Sequence, residues 1–275
     1  MTINCKGNLI SLENPKVMGI LNLTPDSFYD GGKYKNIDQA IVQVEIMLKE
    51  GADFIDVGAY SSRPGADHIS EEEELSRILP IVEFITKAFP EIILSIDTFR
   101  SRVAQYCIEA GASIINDISA GNLDSKMFET VGSLAVPYIM MHMKGTPQNM
   151  VDLNTYEDLI KEIQFYFSQK VKLAKAHKIN DIIIDPGFGF AKNIEQNFEL
   201  LKKLSVFKLQ DLPILVGVSR KSMIYKTLKT KPEEALNGTT FLNTLALQNG
   251  ANILRVHDVK EAKECVELYK LYKSA

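Results

Sequence analysis

The sequence predicts a single-domain α/β protein folded as a closed (β/α)8 barrel, the TIM barrel, over residues 1–275, with the barrel itself at about 15–272. Eight short apolar runs alternate with segments of helical periodicity, which favours a parallel sheet covered by helices. A chain of 275 residues gives about 34 residues to each of eight units, enough for a strand, a helix and two loops. No linker or low-complexity stretch divides the chain.

The eight apolar runs have the length of strands that are buried on both faces. In chain order the predicted strands are 17–21, 53–57, 92–96, 113–116, 137–141, 181–184, 213–217 and 252–256. Three of them follow a helix that ends in a Gly-Ala pair, at Gly51, Gly111 and Gly250. A glycine at this point is typical of a left-handed helix end, so these three segments mark helix-to-strand junctions.

Two helix starts can be predicted from capping patterns. Asn36 with Gln39 predicts the start of the first helix, whose apolar residues recur at helical spacing up to Leu48. Ser70 with Glu73 predicts the start of the second helix, which runs to about Ala88. The acidic run from 71 to 74 then occupies a first turn, where negative charge is favourable, and is not interpreted as a metal site.

Composition excludes several classes of partner. The chain has 31 Lys and Arg against 35 Asp and Glu, a net charge of −4, with no basic block that would bind nucleic acid. No apolar run is long enough to span a membrane, and the N-terminus lacks the pattern of a signal peptide. The cysteines at 5, 107 and 265 are too far apart for a metal knuckle. We therefore expect a soluble cytoplasmic protein with packed, reduced cysteines.

Polar side chains follow all eight predicted strands. They are Asn22; Asp56 with Ser61, Ser62 and Arg63; Asp97; Asn116; His142; Asp185; the run from Ser219 to Ser222; and Arg255 with His257. A TIM barrel builds its active site from the C-terminal ends of its strands and the loops that follow. Strand-to-loop transitions alone would explain some of these residues, but not amides, carboxylates and cations meeting on one rim. The sequence therefore predicts a binding site there.

The residue types at this rim suit a ligand that joins a flat heterocycle to an anion. Carboxylates and amides on interior strands must be paired, and they offer acceptors and donors to an amide-rich ring: Asp97, Asn116 and Asp185. The last two units supply cations at the corner where such barrels often hold phosphate: Lys221, Arg255 and His257. Ser222 is predicted at the start of the seventh helix, where free N–H groups would favour an anion.

Two loops and one glycine-rich segment complete the predicted rim. The segments 22–32 and 61–65 have the composition of lids that close over a ligand. The segment from Gly187 to Lys192 superficially resembles a dinucleotide-binding loop but lacks its third glycine, so Phe190 is better interpreted as a stacking face. A Schiff-base aldolase would need a lysine on a strand, and a two-metal hydrolase would need clustered histidines; neither is present in this sequence.

Seven motifs at the predicted strand ends together identify a family resemblance. They are Met18-Gly19-Ile20-Leu21-Asn22-Leu23-Thr24-Pro25-Asp26-Ser27-Phe28, Ser62-Arg63-Pro64-Gly65, Ser95-Ile96-Asp97-Thr98, Ile115-Asn116-Asp117, Asp185-Pro186-Gly187-Phe188-Gly189-Phe190, Ser219-Arg220-Lys221-Ser222 and Arg255-Val256-His257-Asp258. From about residue 15 to its end, the chain resembles the dihydropteroate synthase family. The resemblance implies a barrel enzyme of folate biosynthesis that joins 6-hydroxymethyl-7,8-dihydropterin diphosphate to p-aminobenzoate and releases diphosphate.

The resemblance also implies a role for each motif position. The pterin diphosphate would be bound by Asn22, Ser62, Asp97, Asn116, Asp185, Lys221, Arg255 and His257, with Mg²⁺ at Asn22. p-Aminobenzoate would be bound by Phe28, Ser62, Arg63, Pro64, Phe190, Lys221 and Ser222. The catalytic residues would be Asp30, Arg63, Asp97 and Lys221. Sulfonamides would compete with p-aminobenzoate, and the enzyme would be a homodimer.

The second loop departs from the family pattern. The family usually has Gly-Glu-Ser-Thr-Arg-Pro-Gly there, whereas this chain has Tyr60 in place of the glutamate and Ser62 in place of the threonine. Two alternative functions stay open from the residues. A pterin-binding methyltransferase barrel would share the Asp and Asn residues, but the cations at Lys221, Arg255 and His257 argue for a substrate with a diphosphate. A non-catalytic pterin-binding paralogue would bind both substrates without turnover.

Overall fold

The structure is a computed structural model, and it describes residues 1–23, 32–61 and 68–275, with only the backbone described for residues 32–36 and 151. The strands are β1 (Thr2–Cys5), β2 (Asn8–Ser11), β3 (Lys16–Asn22), β4 (Phe54–Gly58), β5 (Leu94–Asp97), β6 (Ile114–Asp117), β7 (Tyr138–Met141), β8 (Ile182–Asp185), β9 (Leu215–Val216) and β10 (Ile253–Val256). The helices are α1 (Gly32–Lys49), α2 (Glu71–Ala88), α3 (Ser101–Glu109), α4 (Met127–Leu134), α5 (Leu159–Ala176), α6 (Ile194–Lys202), α7 (Ser222–Tyr225), α8 (Leu236–Gln248) and α9 (Val259–Ser274).

Strands β3 to β10 form the predicted barrel. Each strand from β3 to β8 pairs in parallel with its neighbour in the chain, and β10 pairs in parallel with β3 and β9. A parallel bridge between Ile184 and Ile214 joins β8 to the segment before β9 and closes the circle. Helices follow the strands and cover the outside of the sheet. The (β/α)8 prediction is confirmed, and the ends of each predicted strand are within two residues of the observed ones.

An N-terminal hairpin, which the sequence did not predict, closes one end of the barrel. β1 and β2 pair antiparallel through a two-residue turn, in which Lys6 and Gly7 both have positive φ, at 52° and 84°. This is the turn geometry that matches the twist of a hairpin. Ile3 and Cys5 pack into the apolar layer inside the barrel. Four-residue strands are too short to show a period in the sequence, so this hairpin was missed.

The helix predictions hold except at one end. Ser70 Oγ accepts a hydrogen bond from Glu73 N at 3.1 Å, so α2 begins and ends where predicted. α1 begins at Gly32, and Asn36 lies inside it, so the predicted capping pair with Gln39 is wrong. Hydrophobic periodicity identifies the face of a helix that packs on the core. The first turn of α1 lies before its first core residue, so the apolar pattern could not show where the helix begins.

The three repeated glycines end their helices in the left-handed conformation, with φ of +97°, +105° and +105° at Gly51, Gly111 and Gly250. In each case the next residue donates its N–H to a carbonyl five residues earlier, for example Ala52 N to Met47 O at 2.9 Å. This Schellman bond turns the chain directly from helix to buried strand.

Side chains inside the barrel form an apolar layer below a polar one. The apolar layer consists of Met18, Phe54, Ile114, Ile139, Ile183, Leu215 and Ile253. Side chains two residues apart on a strand lie on the same face, so polar residues two positions later lie above this layer at the C-terminal rim: Asp56, Asn116, Asp185 and Arg255. The apolar layer excludes water beneath them, which strengthens their electrostatic interactions.

The structure agrees with the expected packing of the cysteines. Cys5, Cys107 and Cys265 are free thiols, and all three are buried. Among the described residues, none of the helices combines the length and apolar character needed to cross a membrane.

Candidate active site

Arg255 is the centre of a charged network that crosses the barrel at the C-terminal rim. Its Nε donates to Asp56 Oδ2 at 2.6 Å, and its Nη2 donates to Asp97 Oδ2 at 2.7 Å. Asn116 Nδ2 donates to the same Asp56 oxygen at 2.9 Å. Residues from β4, β5, β6 and β10, far apart in sequence, therefore hold one another in fixed positions.

Asp56 is a site residue to which the sequence analysis gave no role. It is fully buried, and its Oδ1 has no hydrogen-bond partner in the part of the chain that the structure describes. A buried carboxylate oxygen without a donor is costly, so this atom suits an N–H group of a ligand. Its position two residues after the interior residue Phe54 was the signal that could have identified it.

Burial and mutual repulsion shift the pKa values of the carboxyl groups. Burial raises the pKa of Asp97 to about 7; Arg255 opposes the shift and Asp56 adds to it. Burial also raises the pKa of Asp185, which Lys221 partly opposes. Burial alone would lower the pKa of Arg255, but the carboxylates of Asp56 and Asp97 outweigh it and raise that pKa, so Arg255 stays charged.

Lys221 connects the carboxylates to an aromatic ring. It immediately precedes α7, and its Nζ donates to Phe188 O and lies 4.9 Å from the centre of the Phe190 ring. Burial lowers the pKa of Lys221 to about 8, although Asp185 opposes this shift. The ammonium therefore lies where an interior carboxylate, a loop carbonyl and the face of a phenyl ring meet.

Ser222 begins α7 as predicted, but this helix has only four residues. The first N–H of α7 to bond within the turn is that of Ile224, which donates to Lys221 O at 2.9 Å. The N–H groups of Ser222 and Met223 precede it. Because a single turn carries a small dipole, an anion there would depend on direct hydrogen bonds to these groups and the Ser222 hydroxyl.

Asn22 and His257 line one cavity of about 650 Å³, which lies between the end of β3 and α1. His257 is held by Ser219, whose Oγ is 3.1 Å from His257 Nδ1. The described residues contain no group of three or more His, Cys, Asp or Glu side chains that could hold a metal ion by themselves. Mg²⁺ prefers oxygen ligands and commonly keeps several waters, so the amide oxygen of Asn22 fits an ion that a diphosphate also binds.

Five of the predicted site residues lie outside the described residues: Phe28, Asp30, Ser62, Arg63 and Pro64. Tyr60 and His68 flank the second of these segments. Tyr60 Oη accepts from Gln148 Nε2 at 2.8 Å, lies 3.2 Å from His68 Nδ1, and its ring packs edge-on against Phe99. The tyrosine that replaces the family's glutamate therefore supports the start of the second loop through an aromatic contact and two hydrogen-bonding partners.

Comparisons with known proteins point to one family. A family model described as "Pterin binding enzyme" matches residues 18–257. The dihydropteroate synthase of Escherichia coli is 40% identical over 277 aligned residues, which cover 100% of this chain and 98% of that protein.

Solved structures agree with the sequence comparisons. The dihydropteroate synthase of Yersinia pestis, solved with a sulfonamide drug, superimposes with a TM-score of 0.94 at 41% identity, and the match covers 100% of both chains. That of Xanthomonas albilineans, solved with 4-aminobenzoic acid, superimposes with a TM-score of 0.92 at 35% identity and covers 100% of this chain and 98% of the other.

Proposed function

The chain belongs to the pterin-binding enzyme family, and on that premise we propose how its strand-end residues divide the work of a dihydropteroate synthase. It is a transferase of folate biosynthesis: it joins 6-hydroxymethyl-7,8-dihydropterin diphosphate to p-aminobenzoate, giving 7,8-dihydropteroate and diphosphate. The similarity to the E. coli enzyme extends along the whole chain. The observation that carries the assignment of roles is the network of Asp56, Asp97, Asn116 and Arg255, in which Asp56 and Asn116 are buried and the other two are partly buried.

The pterin ring binds inside the barrel, at the polar layer. Asp56, Asp97 and Asp185 supply three carboxyl groups there, against the two cations Arg255 and Lys221. This excess of acceptors suits a heterocycle whose edge presents several N–H donors, as a pterin does. Asp56 Oδ1, which has no hydrogen-bond partner among the described residues, adds one acceptor that the family motifs did not suggest.

The diphosphate lies toward the cavity that Asn22 and His257 line. Arg255, two residues before His257, and Ser62 are its other proposed contacts. A magnesium ion held by Asn22 and the substrate would neutralise charge on the diphosphate as it leaves. Arg255 is already paired with two carboxylates, so its charge is partly compensated before substrate binds. His257 is more exposed than Arg255, so we place His257 against the leaving group.

p-Aminobenzoate lies at the outer rim, against Phe190. Lys221 Nζ lies 4.9 Å from the centre of this ring and interacts electrostatically with Asp185 and Asp97, so we assign it to both substrates. The carboxylate of p-aminobenzoate lies toward Ser222 and the free N–H groups at the start of α7. The two loop segments that carry Phe28, Arg63 and Pro64 would complete this end of the site.

The reaction needs charge stabilisation more than a strong base. The C–O bond to the diphosphate breaks, the neutral aromatic amine forms a C–N bond to the pterin methylene, and the amine then loses one proton to solvent. Positive charge on the methylene is stabilised by nearby carboxylates, which we assign to Asp97 and, from the first loop, Asp30. Arg63 and Lys221 orient the second substrate, and loop closure excludes water.

Incubating the purified protein with both substrates and Mg²⁺ tests this function directly. We expect dihydropteroate and diphosphate in equal amounts, with a lower rate after Mg²⁺ is removed by a chelator. Sulfonamides are expected to compete with p-aminobenzoate. Binding of both substrates without any product would instead indicate a non-catalytic paralogue, and the absence of dihydropteroate would contradict the proposal.

We expect a bell-shaped pH profile of kcat/KM with both limbs near neutrality. Asp97 accepts hydrogen bonds fully only when it is ionised, so activity should rise with pH through about 7. Lys221 is a cation only below its lowered pKa, so activity should fall as pH rises through about 8. Steady-state rates from pH 5 to 10 measure both limbs. Asp97→Asn should remove the acidic limb only; an unchanged acidic limb in this variant would contradict the role of Asp97.

Assembly and location belong to the same proposal. We propose a homodimer formed through α8 and α9, which pack on each other and expose the apolar side chains Phe241, Leu268 and Leu271. Light scattering should give twice the mass of one chain.

A reducing, cytoplasmic location is supported by the three free, buried cysteines.

A further inference from the structure

Lys192 is a buried lysine that the reaction described above does not use. It lies between β8 and α6, and only 9% of it is exposed. Its Nζ lies 2.9 Å from Gly187 O, 3.0 Å from Phe190 O and 3.1 Å from His142 Nδ1. An ammonium group has three N–H donors and no acceptor, so these three acceptors satisfy it completely.

His142 is the acceptor that makes this arrangement possible. It follows β7 and is buried, with Tyr166 packed edge-on against its ring at 4.9 Å between centres. Burial lowers the pKa of His142 well below its usual range, and the charges of Lys192 and Lys144 lower it further. The imidazole is therefore neutral, and its Nδ1 can accept a hydrogen bond from Lys192.

The segment from Gly187 to Ala191, here called the glycine loop, has a conformation that needs outside support. Gly187, Gly189 and Ala191 all have positive φ, at 74°, 81° and 50°. Side chains bind several of the loop's polar backbone groups. Gly189 N donates to Asn197 Oδ1 at 2.7 Å, and Ala191 O accepts from Tyr156 Oη at 2.9 Å. The glycine loop is thus held by its surroundings and not by a regular secondary structure.

The glycine loop lies directly against the end of β7. A Cβ atom built on Gly187 would lie 2.1 Å from His142 O, so only glycine fits there. The same loop presents Phe188 O to Lys221 and places the Phe190 ring 4.9 Å from Lys221 Nζ. Lys192 binds the carbonyls of Gly187 and Phe190 in this same loop, and Phe188, which contacts Lys221, lies between them in the sequence.

We propose that Lys192, with His142 as its acceptor, is a positioning residue that fixes the glycine loop and so sets the p-aminobenzoate end of the active site. This inference rests on the proposed function, since it takes Phe190 and Lys221 as the residues that meet the second substrate. Lys192 itself touches neither reacting atom and acts only through the two backbone carbonyls. The pterin end is built mainly on β4, β5, β6 and β10, and it meets the glycine loop only through Asp185, which accepts from Gly187 N at 2.8 Å, and Lys221, so it depends on Lys192 less.

Packing alone does not account for a lysine at this position. Burial lowers the pKa of Lys192 to about 7; Asp185 opposes this shift, whereas the charges of Lys221 and Lys144 add to it. Desolvating an ammonium costs free energy that a methionine of similar volume would not cost. What the ammonium supplies, and methionine cannot, is three hydrogen bonds: two to carbonyls of the glycine loop and one to His142, which follows β7.

Lys192→Met tests the proposal. We expect the KM for p-aminobenzoate to rise at least tenfold, while the KM for the pterin diphosphate rises by a much smaller factor, because the glycine loop meets the pterin end only through Asp185 and Lys221. Backbone hydrogen exchange of the glycine loop, residues 187–191, should become faster, and exchange of the barrel strands should stay unchanged. Lys202→Met, which removes an exposed lysine at the end of α6, is the matched control and should change none of these quantities.

Two variants of His142 keep the test decisive if Lys192→Met does not fold. Asparagine can place an oxygen near the position of Nδ1, so His142→Asn should keep most of the affinity for p-aminobenzoate, whereas His142→Leu should lose it. Equal losses for both substrates, unchanged exchange of the glycine loop, or equal behaviour of the two His142 variants would overturn the proposal. If the unmodified enzyme gives no dihydropteroate, the proposed function fails, but the exchange measurement still decides whether Lys192 holds the loop.

Discussion

Replacing Arg255 by methionine is expected to abolish measurable turnover and to lower the free energy of unfolding by about 3–5 kcal/mol. Arg255 Nε and Nη2 bind Asp56 and Asp97 at 2.6 and 2.7 Å, inside the barrel and above an apolar layer. Without the guanidinium, two carboxyl groups that face each other remain buried with no cation between them. Urea unfolding followed by circular dichroism measures the stability, and release of diphosphate measures the activity.

Arg102→Met is the control for this variant. Arg102 pairs with Glu71 and Glu72 on the surface at 3.2 Å, and exposed pairs contribute about 0–1 kcal/mol. The deficit of Arg255→Met should narrow as pH falls from 8 to 5. Arg255 opposes the burial that raises the pKa of Asp97 to about 7, so without Arg255 this pKa is higher still and the folded variant takes up its proton at higher pH than the unmodified protein, while in the unfolded chain Asp97 stays ionised down to about 3.9. A loss below 1 kcal/mol at pH 8 would show that the network does not hold the site together.

Lys221→Met is expected to lower kcat/KM about 100-fold or more for both substrates at once, because it removes a partly buried charge that we assign to both. Its Nζ lies against Phe188 O and the Phe190 ring and interacts with Asp185 and Asp97. Loss of the cation also leaves these two carboxyl groups with less compensation, so the basic limb of the pH profile near 8 should disappear. Initial rates with each substrate varied in turn measure the effect.

Lys226→Met provides the matched control, since Lys226 is exposed at the end of α7, one turn after Lys221. It should retain nearly full activity with both substrates. A Lys221→Met enzyme that lost affinity for only one substrate would contradict the assignment of Lys221 to both ends of the site. The contrast with Lys192→Met is informative, because that variant is expected to affect p-aminobenzoate far more than the pterin diphosphate.

The sequence identified most of the interior site, since period-two alternation and strand ends are local properties. Asp97, Asn116, Asp185 and Arg255 were predicted from their positions after buried strands, and the structure places them on one rim. The partners of Arg255 could not be predicted, because a pair such as Asp56 and Arg255 is separated by 199 residues and meets only when the barrel closes. Likewise, the apolar pattern predicts a helix that starts at Ser222 but does not predict that this helix, α7, has only four residues.

The sequence by itself determined the eight-unit barrel, the rim that carries the site and, through its motifs, the family. These follow from short-range regularities: buried strands, amphipathic helices, and glycines that end helices, which are written in consecutive residues. Only the tertiary structure decided which charges neutralise one another, which carboxylate oxygen is left for a ligand, and that Lys192 reaches His142 beneath the glycine loop. Such contacts depend on the distances and the low dielectric that arise when distant segments pack together, and no local pattern encodes them.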